Sequence, residues 1–366
     1  MDEVPWEAAE HTKVKHAVYA HYLSKWLPIL LKGFGGGDVT YAEGFAGPGV
    51  YRGGEPGSPV IALKTLIGDP GWRTRARNVR FLFVDKDPRC TSLLRESITR
   101  AARPVPVDEL PRYGIVVDIE TGACDPTLIR MLDRHRAWGR PMLVVLDTWG
   151  ASVPFALVRR VAANPSSEVI ITIQPQYFVR FAEADHDYGD EVFGTSEWRR
   201  VAEMPPGEKA EWLIRHYRET VRAAGFQYVL DFMLVPRRGQ PLYLVFGTTH
   251  ARGLQKMKEA MWEVDDVAGY GYRDPRDPAQ EVLEIQFEPD TSALRRQILE
   301  YLQDRPGHEA TVRELRDFAL YRTVYKESHV RPELIRMAQR REILTDRPGG
   351  DVAYTSTVKL FRANAK

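Results

Sequence analysis

At 366 residues, with 43% hydrophobic and 28% charged side chains, the chain has the composition of a soluble globular protein long enough for two cores. No apolar run approaches the ~20 residues of a membrane span, Cys90 and Cys124 are too few for a disulfide framework, and the acidic start Met1-Asp2-Glu3-Val4-Pro5 does not read as a secretion signal, so a cytoplasmic protein that is not membrane-bound is expected. The net charge of +1 is uneven: from Thr291 onward 15 lysines and arginines face 10 acids, a balance that suits nucleic-acid contact and equally the solvated surface of a small domain.

Residues 11–31 are helical in pattern, with Val14, Val18, Tyr22, Leu23 and Trp26 recurring at three- and four-residue steps. Lys13, Lys15 and His16 on this helix suit a solvated surface or a cover over a ligand. Gly33 to Gly37 breaks the helix, and a first strand runs into Tyr41-Ala42-Glu43-Gly44-Phe45-Ala46-Gly47-Pro48-Gly49. After a turn-rich loop, Ser58 is expected to cap a helix with Pro59 at its first position. Residues 79–84 form a second strand ending at Asp85, and Asp87-Pro88 opens the next helix. A third strand over 113–117 ends at Asp118, and Asp125-Pro126 opens a helix through Leu132.

Met142 to Leu146 is wholly apolar, as a central parallel strand buried on both faces requires, and Asp147-Thr148-Trp149-Gly150 follows it. Strands at 169–173, 228–235 and 243–246 complete seven, the last two joined closely enough to be antiparallel neighbours. Strands alternating with helices describe an α/β, doubly wound sheet. The aromatic-rich stretch at about 176–225 is too long for a simple crossover, and reads as a helical insertion over the strand tips. Its Tyr177, Phe178 and Trp198 are expected to shape a substrate pocket.

Arg273-Asp274-Pro275-Arg276-Asp277-Pro278 is the expected linker. The domains read as an N-terminal helical segment (1–38), a sheet domain (39–288) and a terminal module (289–366). That module has a helix carrying Leu294, Ile298, Leu299 and Leu302, a capping box at Thr311-Val312-Arg313-Glu314, and a third helix within 325–341. Ile343-Leu344 and Val352-Ala353-Tyr354 flank the turn Pro348-Gly349-Gly350, which completes a winged-helix pattern.

An acid at the tip of each of two neighbouring parallel strands, with a glycine loop beside the first, suits a ligand with an amine and a ribose diol, as in S-adenosyl-L-methionine. A dinucleotide competes, but its Gly-x-Gly-x-x-Gly spacing is missing and Pro48 removes an N–H that a phosphate would use. The expected cofactor set is Glu43, Gly44, Phe45, Ala46, Gly47, Gly49, Ser58, Asp85, Lys86 and Asp118. In it Glu43 takes the ammonium, Asp85 the ribose hydroxyls and Asp118 the adenine amino group, while the helix start at Ser58 could hold the methionine carboxylate. Asp147, outside the carboxyl end of a central strand, is the catalytic candidate: it would accept a hydrogen bond from an acceptor amine or hydroxyl, with Trp149 stacking on a planar group. Each acid has a bland alternative as a turn or cap residue. The histidines show no metal-ligand spacing, so no metal is expected, and there is no P-loop or Gly-x-Ser-x-Gly elbow.

Three runs, Glu43 to Gly49, Gly57-Ser58-Pro59-Val60-Ile61-Ala62-Leu63 and Phe83-Val84-Asp85-Lys86-Asp87-Pro88, together resemble the three-Cys-motif partner (TcmP) family of the class I methyltransferase superfamily. Leu146 to Gly150, Asn164-Pro165 and the region 311–343 extend the resemblance over most of the chain. It implies a Rossmann-like seven-stranded sheet with an antiparallel last hairpin, S-adenosylmethionine as cofactor, and a protein partner. The family tends to have Asp-Pro-Phe/Tyr-Gly, similar to the Asp-Pro-Pro-Tyr of amino-group methyltransferases. Thr148 replaces that proline here, which permits another acceptor. The expectation is methyl transfer to a nitrogen or oxygen, with a slight lean to a nucleic-acid base. A small or peptide-like metabolite, or nucleic-acid binding on a degenerate methyltransferase fold, are the alternatives.

Overall fold

Strand β4 (Met142–Leu146) has no polar residue and is buried along its whole length, and the sheet extends outward from it and from β1 (Asp38–Glu43). The computed structural model describes residues 4–33, 36–148, 153–184, 187–234, 242–268, 272–273, 291–347 and 352–361. Two compact units divide the chain, Met1–Val264 and Asp265–Lys366. Most of the expected linker, and Trp149 with Gly150, lie outside the described residues. Among the described residues no helix is long and apolar enough to cross a membrane.

In the first unit β2 (Asn78–Asp85), β3 (Ile115–Thr121), β5 (Ser167–Ile173), β6 (Tyr228–Leu234) and β7 (Leu242–Thr248) join β1 and β4 in the order β3-β2-β1-β4-β5-β7-β6. β1 to β5 are mutually parallel, and β7 runs antiparallel to both β5 and β6. This is the Rossmann-like seven-stranded arrangement with an antiparallel last hairpin that the sequence led us to expect. The strand order reverses between β1 and β4, and a crevice outside the carboxyl ends of strands at such a reversal is where open α/β sheets take ligands.

One strand end and one helix start differ from expectation. β3 continues to Thr121, which leaves Asp118 in its middle, since an edge strand can carry polar residues outward without ending. The helix Ser58–Gly68 takes Gly57, not Ser58, as its N-cap, and the Ser58 hydroxyl is spent on Glu43.

The helix Glu10–Lys32, expected as a segment apart, belongs to the first unit. Its apolar side buries Val14, Val18, Leu23 and Leu27, and Tyr22 donates at 2.5 Å to Glu168 of β5. The stretch after β5 is helical, including Pro175–Glu183 and Lys209–Ala223. Phe178, Phe193, Trp198 and Tyr217 hold it together through ring contacts of 5.0–5.9 Å and join the core under the sheet.

The second unit contains the helices Ser292–Gln303, Val312–Arg322 and Glu327–Gln339, burying Leu294, Ile298, Leu302, Leu315, Leu334 and Met337. The capping box forms: the Thr311 hydroxyl accepts from Glu314 N–H, and the Glu314 carboxylate accepts from Thr311 N–H. Strand Thr357–Leu360 pairs antiparallel with both Ile343–Thr345 and Glu309–Thr311. The returning strand is therefore later than the expected 352–354, and the turn expected at 348–350 lies outside the described residues.

Candidate active site

The loop after β1 is shaped by its glycines. Gly47 and Gly49 have φ of 63° and 69°, and a Cβ on Gly49 would meet Leu94 at 2.6 Å. Among the described residues nothing lies within 4 Å of where a Gly47 Cβ would stand, so that turn fronts open space. Ala46 N–H donates to the Val84 carbonyl at 2.9 Å and Gly47 N–H to Asp85 Oδ2 at 2.8 Å, which ties the loop to the end of β2. Asp85 Oδ1 accepts from Asp87 N–H at 2.9 Å, and Asp87 caps the following helix through Arg89 N–H. Asp85 thereby has both oxygens oriented and retains lone pairs for further donors.

Glu43, the last residue of β1, is 1% exposed. The Tyr41 hydroxyl donates to its Oε1 and the Ser58 hydroxyl to its Oε2, each at 2.7 Å. Burial is the largest influence on its acidity and pushes it up to about 8. The nearby negative charge of Asp147 acts in the same direction, against the two donors and Lys15. At neutral pH the free site therefore holds Glu43 mostly protonated.

Asp147 follows β4. Its Oδ1 lies 2.8 Å from the Thr172 hydroxyl of β5, and its Oδ2 accepts from the ammonium of Lys15. Lys15 comes from the N-terminal helix, with a side chain 8% exposed. His16 beside it is driven down to about 4, mainly by burial and then by the Lys15 charge, and is neutral at pH 7. Lys13, by contrast, points to the surface and pairs with Glu55.

These strand ends surround a cavity of about 610 Å³, a size typical of small-molecule sites. Gly44, Phe45, Ala46, Gly47, Gly49, Ser58, Asp85, Lys86, Asp147 and Tyr177 line it. Glu43 sits one layer behind, reached through Ser58. Three expected site residues are elsewhere. Asp118 binds His135 at 2.7 Å and Arg134 on the outer strand. Phe178 and Trp198 are core residues with no exposed surface, and the Trp198 indole N–H donates to Asp190 at 2.8 Å. Trp149 lies outside the described residues. Lining residues not singled out from sequence are Trp6, Thr12, Tyr51, Cys124, Asp125 and Tyr188. A detectable signal existed for one stripe: Thr12, Lys15, His16 and Tyr19 follow helical spacing and are all buried.

No family model and no curated protein sequence matches the chain. Among solved structures, LPL1258 from Legionella pneumophila str. Philadelphia 1, of family model DUF519, is 11% identical with a TM-score of 0.43, over 73% of this chain and 96% of that one. Trm1 from Pyrococcus horikoshii, in complex with S-adenosyl-L-methionine, is 8% identical with a TM-score of 0.37, over 96% of this chain and 90% of that one. Neither is similar enough to carry a functional assignment.

Proposed function

We propose that this protein is an S-adenosylmethionine-dependent methyltransferase acting on a nitrogen or oxygen acceptor, with a nucleic-acid base as the acceptor class. One observation carries the reading: the acids after β2 and β4 line one cavity at the point where the strand order reverses, and the acid that ends β1 stands behind its Ser58 wall. The motif resemblance to the three-Cys-motif partner family supports it.

The residues present fit the cofactor. Asp85 is an acceptor-only group for a ribose diol, and Glu43, through or beside Ser58, is a buried carboxyl that gains a countercharge when an ammonium arrives. The bare Gly47 lets a ligand approach the backbone. The Tyr19 hydroxyl, fully buried on the helix that carries Lys15, has no hydrogen-bond partner among the described residues, and a buried polar atom of this kind calls for a bound water or ligand group. Asp125 and Cys124, after β3, stand nearer the cavity than Asp118 and take over the base-binding end assigned to it.

When bound, S-adenosylmethionine would supply a methyl group already activated on a sulfonium. The chain's part is then to position and to exclude water. Asp147, fixed by Thr172 and Lys15, would accept from the acceptor N–H or O–H through a remaining lone pair. Tyr177 and Tyr188 from the insertion, with Trp6 and Tyr51, offer flat apolar faces that suit a planar base. The excess of basic residues from Thr291 onward supports the same acceptor class.

The test is calorimetry of S-adenosylmethionine binding to the full chain, followed by transfer of labelled methyl to total RNA, DNA and a metabolite extract. Measurable binding and labelling of nucleic acid are expected. Absence of cofactor binding would overturn the enzyme reading, and labelling of metabolites alone would overturn the acceptor class.

A further inference from the structure

Acids outnumber cationic side chains in the cavity wall by two to one among the described residues. Asp85, Asp87, Asp125 and Asp147 face it, and among the described lining residues the cationic side chains are Lys15 and Lys86. Lys86 is exposed at the end of β2, beside the ribose acid. Lys15 is buried at the other side of the site, against the acid of β4. A methyl donor of the proposed kind carries a carboxylate as well as two positive centres. Its cations find partners easily in this cavity, and its carboxylate finds few.

We propose that Lys15 is the residue that binds the methionine carboxylate of the cofactor, with Asp147 holding the ammonium in place for it. The assignment rests on the S-adenosylmethionine reading. An ammonium has three hydrogens to donate, and Asp147 Oδ2 takes one of them, which leaves two for an anion. Burying a lysine this deeply is costly without a countercharge, and Asp147 supplies it. That pairing fixes the side chain with N–H groups still to donate, which suits an anion-binding role. Ser58 lines the same cavity and engages Glu43, which brings a carboxyl for the ammonium and a lysine for the carboxylate to one end of the pocket. His16, neutral and adjacent, adds no competing charge.

Decarboxylated S-adenosylmethionine, which keeps the sulfonium, the amine and the nucleoside, isolates this contact. Calorimetry on the full-length parent chain should show it binding about 10- to 100-fold more weakly than S-adenosylmethionine, as befits loss of a hydrogen-bonded ion pair. In Lys15→Met the affinity for S-adenosylmethionine should fall to that of the decarboxylated ligand, and the ratio should collapse to within threefold. Lys15→Arg should keep a ratio above threefold. A parent that binds both ligands equally would overturn the assignment and leave the cofactor reading standing, and this comparison needs no variant to fold. A Lys15→Met protein that retains the parent's ratio, losing affinity for both ligands alike or for neither, would also overturn it. Failure of the parent to bind either ligand would overturn the cofactor reading and the assignment with it.

Discussion

Replacing Glu43 by glutamine should make the free protein more stable, by an amount that grows with pH. Burial raises the Glu43 carboxyl from an ordinary 4.5 to about 8 in the folded chain. Between those two values the folded state holds a proton that the unfolded state has released, so the parent loses stability as pH rises from about 4.5 and the loss levels off above about 8. At pH 7 the gap is 2.5 pH units, which at about 1.4 kcal/mol each is on the order of 3 kcal/mol. Glutamine has the same shape, can accept from one of the Tyr41 and Ser58 hydroxyls and donate to the other, and never ionises. For a unit of this size that difference corresponds to a melting temperature raised by about 6 to 12 °C at pH 7. Scanning calorimetry of parent and variant from pH 5 to 9 reads it as a difference. Glu168, pushed up to about 7 by burial, shifts both proteins alike and cancels. A small gap at pH 5 that widens to a plateau above pH 8 is the expected result. Parallel curves, or a variant less stable than the parent throughout, would refute the reasoning that Glu43 is held at an energetic cost.

Affinity for S-adenosylmethionine should climb nearly tenfold per pH unit from pH 6 towards 8, because the ammonium binds the ionised Glu43, and the climb should vanish in Glu43→Gln; calorimetry at constant ionic strength measures both. Asp85→Asn places an amide donor among the Gly47 and Asp87 N–H groups and removes an acceptor from the ribose. Binding should weaken about 10- to 100-fold, and unchanged affinity would remove Asp85 from the site. Asp147→Asn should cut methyl transfer at saturating cofactor by about 100- to 10,000-fold, read by label incorporation into the acceptor identified in the panel, and a loss under tenfold would mean that another group orients the acceptor.

The central strands were legible in sequence because a strand buried on both faces leaves no room for polar residues. β4 is five apolar residues closed by Asp147, and β2 ends in the apolar run Phe81-Leu82-Phe83-Val84 closed by Asp85, so each acid marks the end of its strand. At the sheet edge that logic fails. β3 is only partly buried beyond Ile115, and Asp118 and Glu120 stand half-buried where Arg134 bridges them; a polar residue there is part of the strand and not its end. The insertion fails for another reason. Tyr177 and Phe178 are consecutive on one helix and therefore about 100° apart, so one faces the cavity and the other the core, and aromatic content alone cannot tell which.

The N-terminal helix was the hardest to read, for an electrostatic reason. A stripe of Thr12, Lys15, His16 and Tyr19 looks like a solvated face because free lysine and neutral histidine are normally at the surface. It is buried here because the helix lies over the strand ends, where Asp147 offers Lys15 a countercharge that no local pattern announces. The free site is consequently poorly balanced: Glu43 is pushed to about 8, His16 to about 4, and the Tyr19 hydroxyl lacks a partner among the described residues. The raised Glu43 is the imbalance that an incoming ammonium relieves. Sites assembled this way lose stability when empty and regain it on binding, and a cofactor present at 100 times its dissociation constant adds about 2.7 kcal/mol through mass action alone. A thermal shift that vanishes in Glu43→Gln while the variant melts higher than the parent would tie both effects to the same buried carboxyl.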